Sequence, residues 1–140
     1  MKKLQRNATK RQDRKPRVNI AINPTAPLVS RFDALEADFF GDLAEDTHGV
    51  WEVFEFVRLH HSELTDEEIF ELGYDYIARW LRTGWIRVSD APLHPTTVKT
   101  PAELLHFLQV RGLAATQHCE NAPSLDITDE AKRVYDSEIA

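Results

Sequence analysis

The sequence predicts a mainly helical α+β domain with a small β-hairpin, carried behind an extended basic N-terminal arm. Three observations predict it. Apolar residues recur at helical spacing in several segments, two of these segments open with a Thr-x-x-Glu capping box, and two short runs near 86 and 126 read as paired strands. With 140 residues, 42% of them hydrophobic, the chain suits one packed core with a polar tail.

The elements follow in order. Residues 1–17 hold almost nothing apolar and cannot bury enough surface to order themselves, so an arm is expected over 1–29. Its second half, Val18 to Val29, alternates briefly and is broken by Pro24 and Pro27, as in a linker or edge strand. The folded domain is placed at 30–140. Ser30 is read as the cap of a first helix carrying Phe32, Leu35, Phe39 and Phe40 up to Gly41. A buried helix is expected over 48–61, with Val50, Trp51, Val53, Phe54, Val57 and Leu59 on its apolar face and Glu52, Glu55 and Arg58 opposite.

The box Thr65-Asp66-Glu67-Glu68 opens the next helix, which the left-handed conformation open to Gly84 should stop. Trp85-Ile86-Arg87-Val88 then alternates as a short strand. A second box, Thr100-Pro101-Ala102-Glu103, starts a helix bearing Leu104, Leu105, Phe107, Leu108 and Val110 and closed by Gly112. The stretch 113–124 reads as a loop. Leu125 to Ile127 is expected to return beside Ile86 to Val88, making a hairpin with a helix in its connection, before a last helix from Thr128. Helix, turn, helix and strand is the order of a winged helix-turn-helix domain.

Charge is divided unevenly. Lys2, Lys3, Arg6, Lys10, Arg11, Arg14, Lys15 and Arg17 oppose only Asp13, so the arm carries +7, while the remaining 9 Lys or Arg face 22 Asp or Glu, a balance of −13. The arm should be drawn to anionic partners and is the candidate nucleic-acid contact; the body should repel nucleic acid and attract basic proteins. Its acidity argues against DNA reading by the helix from Asp66, whose first turns present Asp66, Glu67, Glu68, Glu71 and Asp75 where a groove reader needs basic or amide groups. Arg79 and Arg82 fall near its C-terminus, where they suit the helix dipole.

No GxGxxG, P-loop, GxSxG or HExxH motif occurs, and the six His match no metal-ligand spacing. A single Cys119 excludes an internal disulfide and any multi-cysteine metal centre and favours a reducing cytosol. With no long apolar run, neither a membrane span nor a secretory signal is expected. No enzyme activity, cofactor or metal is therefore anticipated. Trp51 and Trp80 fall on apolar helical faces and read as core. Trp85, just beyond a helix stop and alternating with Arg87, reads as an aromatic interface anchor, against the competing possibility that it packs under the helix at 101–111.

The blocks Gly49-Val50-Trp51-Glu52-Val53-Phe54, Leu81-Arg82-Thr83-Gly84-Trp85-Ile86-Arg87-Val88 and Ile127-Thr128-Asp129-Glu130-Ala131-Lys132, with the capped helix from Thr65 between them, resemble a family of small, uncharacterised bacterial winged-helix-like proteins. The resemblance implies a winged helix. Because some such proteins are immunity proteins of secreted-toxin loci, it also implies a toxin-neutralising role. The leading expectation is thus a non-catalytic cytoplasmic immunity or antitoxin protein that binds a partner with a basic surface, such as a toxin domain, through Glu67, Glu71, Asp75, Trp85 and Arg87. The alternative is a nucleic-acid-associated regulatory protein acting through its arm.

Overall fold

Capping chemistry sets most element boundaries in the computed structural model, which describes residues 31–139. The arm, the linker and the eight basic residues assigned to it lie outside the described residues. The first helix, α1, is Ala34–Leu43, so its start corrects the expected one. Asp33 rather than Ser30 is the cap: its carboxylate accepts from the Glu36 amide at 2.8 Å, and Glu36 accepts from the Asp33 amide at 2.9 Å. Gly41 does not end this helix. It sits inside α1, where a Cβ would lie 2.7 Å from the Tyr135 hydroxyl.

A two-residue strand, β1, His48–Gly49, precedes helix α2, Trp51–His60, so the single expected helix over 48–61 is a strand and a shorter helix. Val50, Val53, Phe54 and Val57 form its buried stripe. Leu59 was expected on that stripe but is 72% exposed, because two residues beyond Val57 is about 200° around a helix. Arg58, expected on the solvent side, is half-buried and donates to the Thr116 carbonyl at 3.2 Å and to its hydroxyl at 2.9 Å.

Helix α3, Asp66–Thr83, carries the predicted capping box at Thr65 and stops at Gly84, whose φ of 77° is left-handed. Strand β2, Ile86–Val88, follows, then helix α4, Pro101–Arg111, capped by Thr100. The Glu103 carboxyl is held below the usual carboxylate range, chiefly by the Lys99 amide it accepts from and also by Thr100. Of the five large apolar residues on α4, the i, i+4 pair Leu104 and Leu108 is fully buried, Leu105 and Phe107 pack partly buried against the core, and Val110 is 68% exposed. The expected loop over 113–124 begins as a 3-10 turn, Gly112–Thr116.

Strand β3, Ser124–Ile127, pairs antiparallel with β2 in the predicted hairpin, matching Ile86 to Ile127, Arg87 to Asp126 and Val88 to Leu125. Its other edge pairs with β1, so the sheet order is β1-β3-β2. Helix α5, Asp129–Glu138, capped by Thr128, packs on α1. The chain is therefore α+β, mainly helical with a small three-stranded antiparallel sheet. No helix among the described residues is long and apolar enough to cross a membrane.

The centre of the core is aromatic. Trp80 stacks on Phe39 with ring centroids 5.3 Å apart and meets Phe40 at 5.0 Å, and all three side chains are wholly buried. Where α2 crosses α3, Gly73 faces the Phe54 ring, itself stacked on Phe70.

Candidate functional site

Helical period brings Glu67, Glu71 and Asp75 onto one flank of α3, since residues four apart lie nearly above one another. All three are solvent-exposed, and the buried side of the helix is Ile69, Gly73, Tyr76, Ile77 and Trp80. None of the three is within ion-pair distance of a basic side chain among the described residues. Desolvation on the helix surface, and then the Glu68 and Glu67 charges, push the Glu71 carboxyl above its ordinary value. Desolvation and Glu71 raise that of Asp75 against the opposing pull of Arg79. The ridge is a row of carboxylates that repel one another and make no ion pair among the described residues.

Trp85 and Arg87 do not extend this ridge directly. From Glu67 to the end of α3 at Thr83 is about 24 Å of helix, and both residues lie beyond it. The Trp85 ring is half-buried and packs against Phe32 at 4.7 Å and, edge-on, against Phe40 at 5.9 Å. Its neighbours are thus the start of the domain and α1, not α4. Arg87 has 53% of its side chain exposed, yet reaches Asp126 across the hairpin at 3.5 Å and Asp90 at 3.8 Å. Asp126 also accepts from the Thr47 hydroxyl at 2.5 Å. Trp85→Ala is expected to lower folding stability by about 2 kcal/mol, short of a wholly buried Trp because one side of the ring meets solvent. A denaturant melt unchanged by that substitution would leave the ring free to act purely in binding.

A buried, densely bonded carboxylate lies elsewhere, at a residue that composition and motif did not single out. Glu36 is 3% exposed, and its Oε2 accepts from Trp80 Nε1 at 2.7 Å and from the Arg79 guanidinium at 2.8 Å. Beside it, the Tyr76 hydroxyl donates to Asp33 at 2.6 Å, and Arg79 lies over the Tyr76 ring. Burial and the adjacent Asp33 carboxylate push the Tyr76 hydroxyl far above the usual phenol range. Burial disfavours the Arg79 charge, and Glu36, with Tyr76 and Asp33 adding to it, outweighs that effect and leaves its pKa raised. Arg79 is therefore a tie between α1 and α3 rather than only a dipole partner. The signal that reveals the cluster is the spacing Asp33-x-x-Glu36, a capping box inside an apolar run. Its acceptors and donors are satisfied by one another, which makes it structural.

Two further features stand apart from the ridge. An open groove of about 540 Å³ runs beside α4, lined in part by Val98, His106, Phe107, Val110 and Arg111. Trp51, expected in the core, is half-buried at the start of α2 and meets His118 edge-to-face at 5.3 Å. Compared with known proteins, the chain matches no family model, no curated protein and no solved structure.

Proposed function

We propose that the chain is a non-catalytic protein-binding module that docks a basic partner surface on the carboxylate ridge of α3, and that toxin neutralisation is the specific form of this activity. The observation that carries the reading is the ridge itself: Glu67, Glu71 and Asp75 are exposed, aligned and in no ion pair among the described residues, on a domain of strongly negative charge. Such a surface speeds encounter with a positive patch and disfavours nucleic acid. The winged helix-turn-helix reading is supported by the order α1, β1, α2, α3, β2, β3, with α4 inserted between the last two strands. On this reading α3, where DNA recognition would reside, faces outward with acid and serves protein contact instead.

The test is kinetic. Once cross-linking in the native cell identifies the partner, association is measured at low and high salt for the parent chain and for E67K/E71K/D75K, which spares the capping Glu68. Association should slow by about tenfold or more at low salt, and the difference should shrink as salt screens the ridge. Equal on-rates at low salt would exclude this face. The carboxylates also make a prediction for the free protein. Both Glu71 and Asp75 hold a proton to higher pH folded than unfolded, so folding takes up protons as pH falls through the mildly acidic range and stability rises there. At neutral pH their charges oppose folding. E71Q and D75N should each raise the thermal midpoint at neutral pH and reduce the gain on mild acidification.

The +7 arm favours a second reading, a nucleic-acid-associated regulator. It is tested by the salt slope of RNA and DNA binding, which is steep if the arm neutralises phosphates.

A further inference from the structure

We propose that His94 and His118 form a binding site for a divalent transition-metal cation, with zinc as the representative ion. This inference does not rest on the protein-binding reading. The two histidines are 24 residues apart and sit on different loops, one between β2 and α4 and one before β3. Their Nε2 atoms are nevertheless 3.3 Å from each other. That separation is at the long end for an N–H···N hydrogen bond. It coincides with the edge of a tetrahedral zinc site, because two nitrogens each about 2.0–2.1 Å from the metal stand about 3.3–3.4 Å apart.

The surroundings hold the pair in place. Both loops are tied to Ser124, which is 1% exposed: the Leu93 amide donates to its hydroxyl at 3.0 Å, and the Ser89 amide donates to its carbonyl at 2.8 Å. The second loop runs directly into Ser124 and is turned by Asn121 in a left-handed conformation, φ 64°, with the Ala122 amide bonded to the Cys119 carbonyl. The imidazoles meet at 78° with centroids 5.2 Å apart, and Trp51 packs edge-to-face against His118 from α2. The loop backbones and the Trp51 contact on His118 thus restrict the pair before any ion arrives, which lowers the ordering cost of binding.

The chemistry selects the ion. Two imidazole nitrogens suit zinc, copper or nickel and offer little to magnesium or calcium, which take oxygen ligands. No group of three or more His, Cys, Asp or Glu capable of holding a metal occurs among the described residues, so the pair would supply two ligands and water the remaining positions. The other close histidine contacts differ in kind. His48 is bonded to Glu52 at 2.6 Å and His60 to Asp38 at 2.9 Å, so each faces a carboxylate rather than a second imidazole.

The experiment is calorimetric titration of the full chain with zinc chloride at neutral pH, beside H94Q, H118Q and H60Q, with thermal melts in zinc as a second readout. One zinc should bind per chain and raise the melting midpoint. H94Q and H118Q should each weaken binding by at least about tenfold, since removing a ligand costs no less than disturbing a residue behind one. H60Q should bind as the parent does, and magnesium should give no response. The proposal is overturned if zinc produces neither heat nor a midpoint shift at millimolar concentration. It is equally overturned if binding survives in both H94Q and H118Q, or if H60Q abolishes it. Both rings are solvent-exposed, so the variants should keep the parent's circular dichroism; if one does not fold, the other decides.

Discussion

Arg79→Met is expected to destabilise the fold by about 3 kcal/mol, the lower end for breaking a buried ion pair by removing one partner. The reason is asymmetric burial. The Glu36 side chain is 4% exposed and cannot reach water, whereas the Arg79 side chain is 35% exposed and solvent already screens part of its charge. Removing the cation leaves a carboxylate enclosed among Phe39, Phe40 and Trp80 neighbours with only the Trp80 indole and the Asp33 amide donating to it. Adding Glu36→Gln to Arg79→Met should recover a large part of the loss, because the amide keeps an acceptor for Trp80 and carries no charge. Chemical denaturation of the two single variants and the double variant gives the coupling directly. An Arg79→Met loss within about 0.5 kcal/mol of zero would show that the tie between α1 and α3 is not energetically significant.

The second large effect belongs to Gly73. In an exposed helix, Gly→Ala stabilises by about 1 kcal/mol. Here the added Cβ would stand 2.4 and 2.5 Å from Cδ1 and Cε1 of Phe54, whose ring is wholly buried and stacked on Phe70 at 5.8 Å. The Phe54 ring is enclosed by the core, so relief requires Phe70 to give way toward solvent or α2 and α3 to separate. Gly73→Ala should cost about 1–2 kcal/mol net, and Gly73→Val about 3 kcal/mol or more, since overpacking grows with each carbon inserted. Thermal melts of both variants check this. A midpoint raised by Gly73→Ala would mean that helix propensity outweighs the crossing.

How far these features were legible in the sequence follows from how local each one is. The boxes at Thr65 and Thr100 span four residues and specify their helices alone, and Gly84 marks its stop for the same reason. The β2–β3 hairpin was readable from two alternating runs. Strand β1 was not, because two residues carry no pattern and its extended form comes from pairing with β3. The cap of α1 was read three residues early, at Ser30, because the reciprocal bond between Asp33 and Glu36 that sets it is a matter of geometry. The ridge was visible because its spacing is helical. The Asp33-x-x-Glu36 spacing announces the carboxylates of the cluster, but their partners Tyr76, Arg79 and Trp80 lie 43 or 44 positions away and the facing histidines 24 apart, so no local pattern announces either pairing. Trp85 shows the middle case: the strand it was expected to begin starts one residue later, at Ile86, and packing turned the ring toward Phe32 and Phe40.

The place of β3 in the sheet sets a timetable for the chain as it is made. Among the described residues, β1 and β2 do not pair with each other; each pairs only with β3, the last of these strands in sequence. During synthesis, His48–Gly49 and Ile86–Val88 must therefore wait until Ile127 has emerged before either finds a backbone partner. Helices α2 and α3 can meet much earlier through Phe54 and Gly73, so a helical pair forms first and the sheet closes over it afterwards. A nascent chain halted before Ser124 would present two unpaired strand edges, which makes such intermediates natural clients of chaperones.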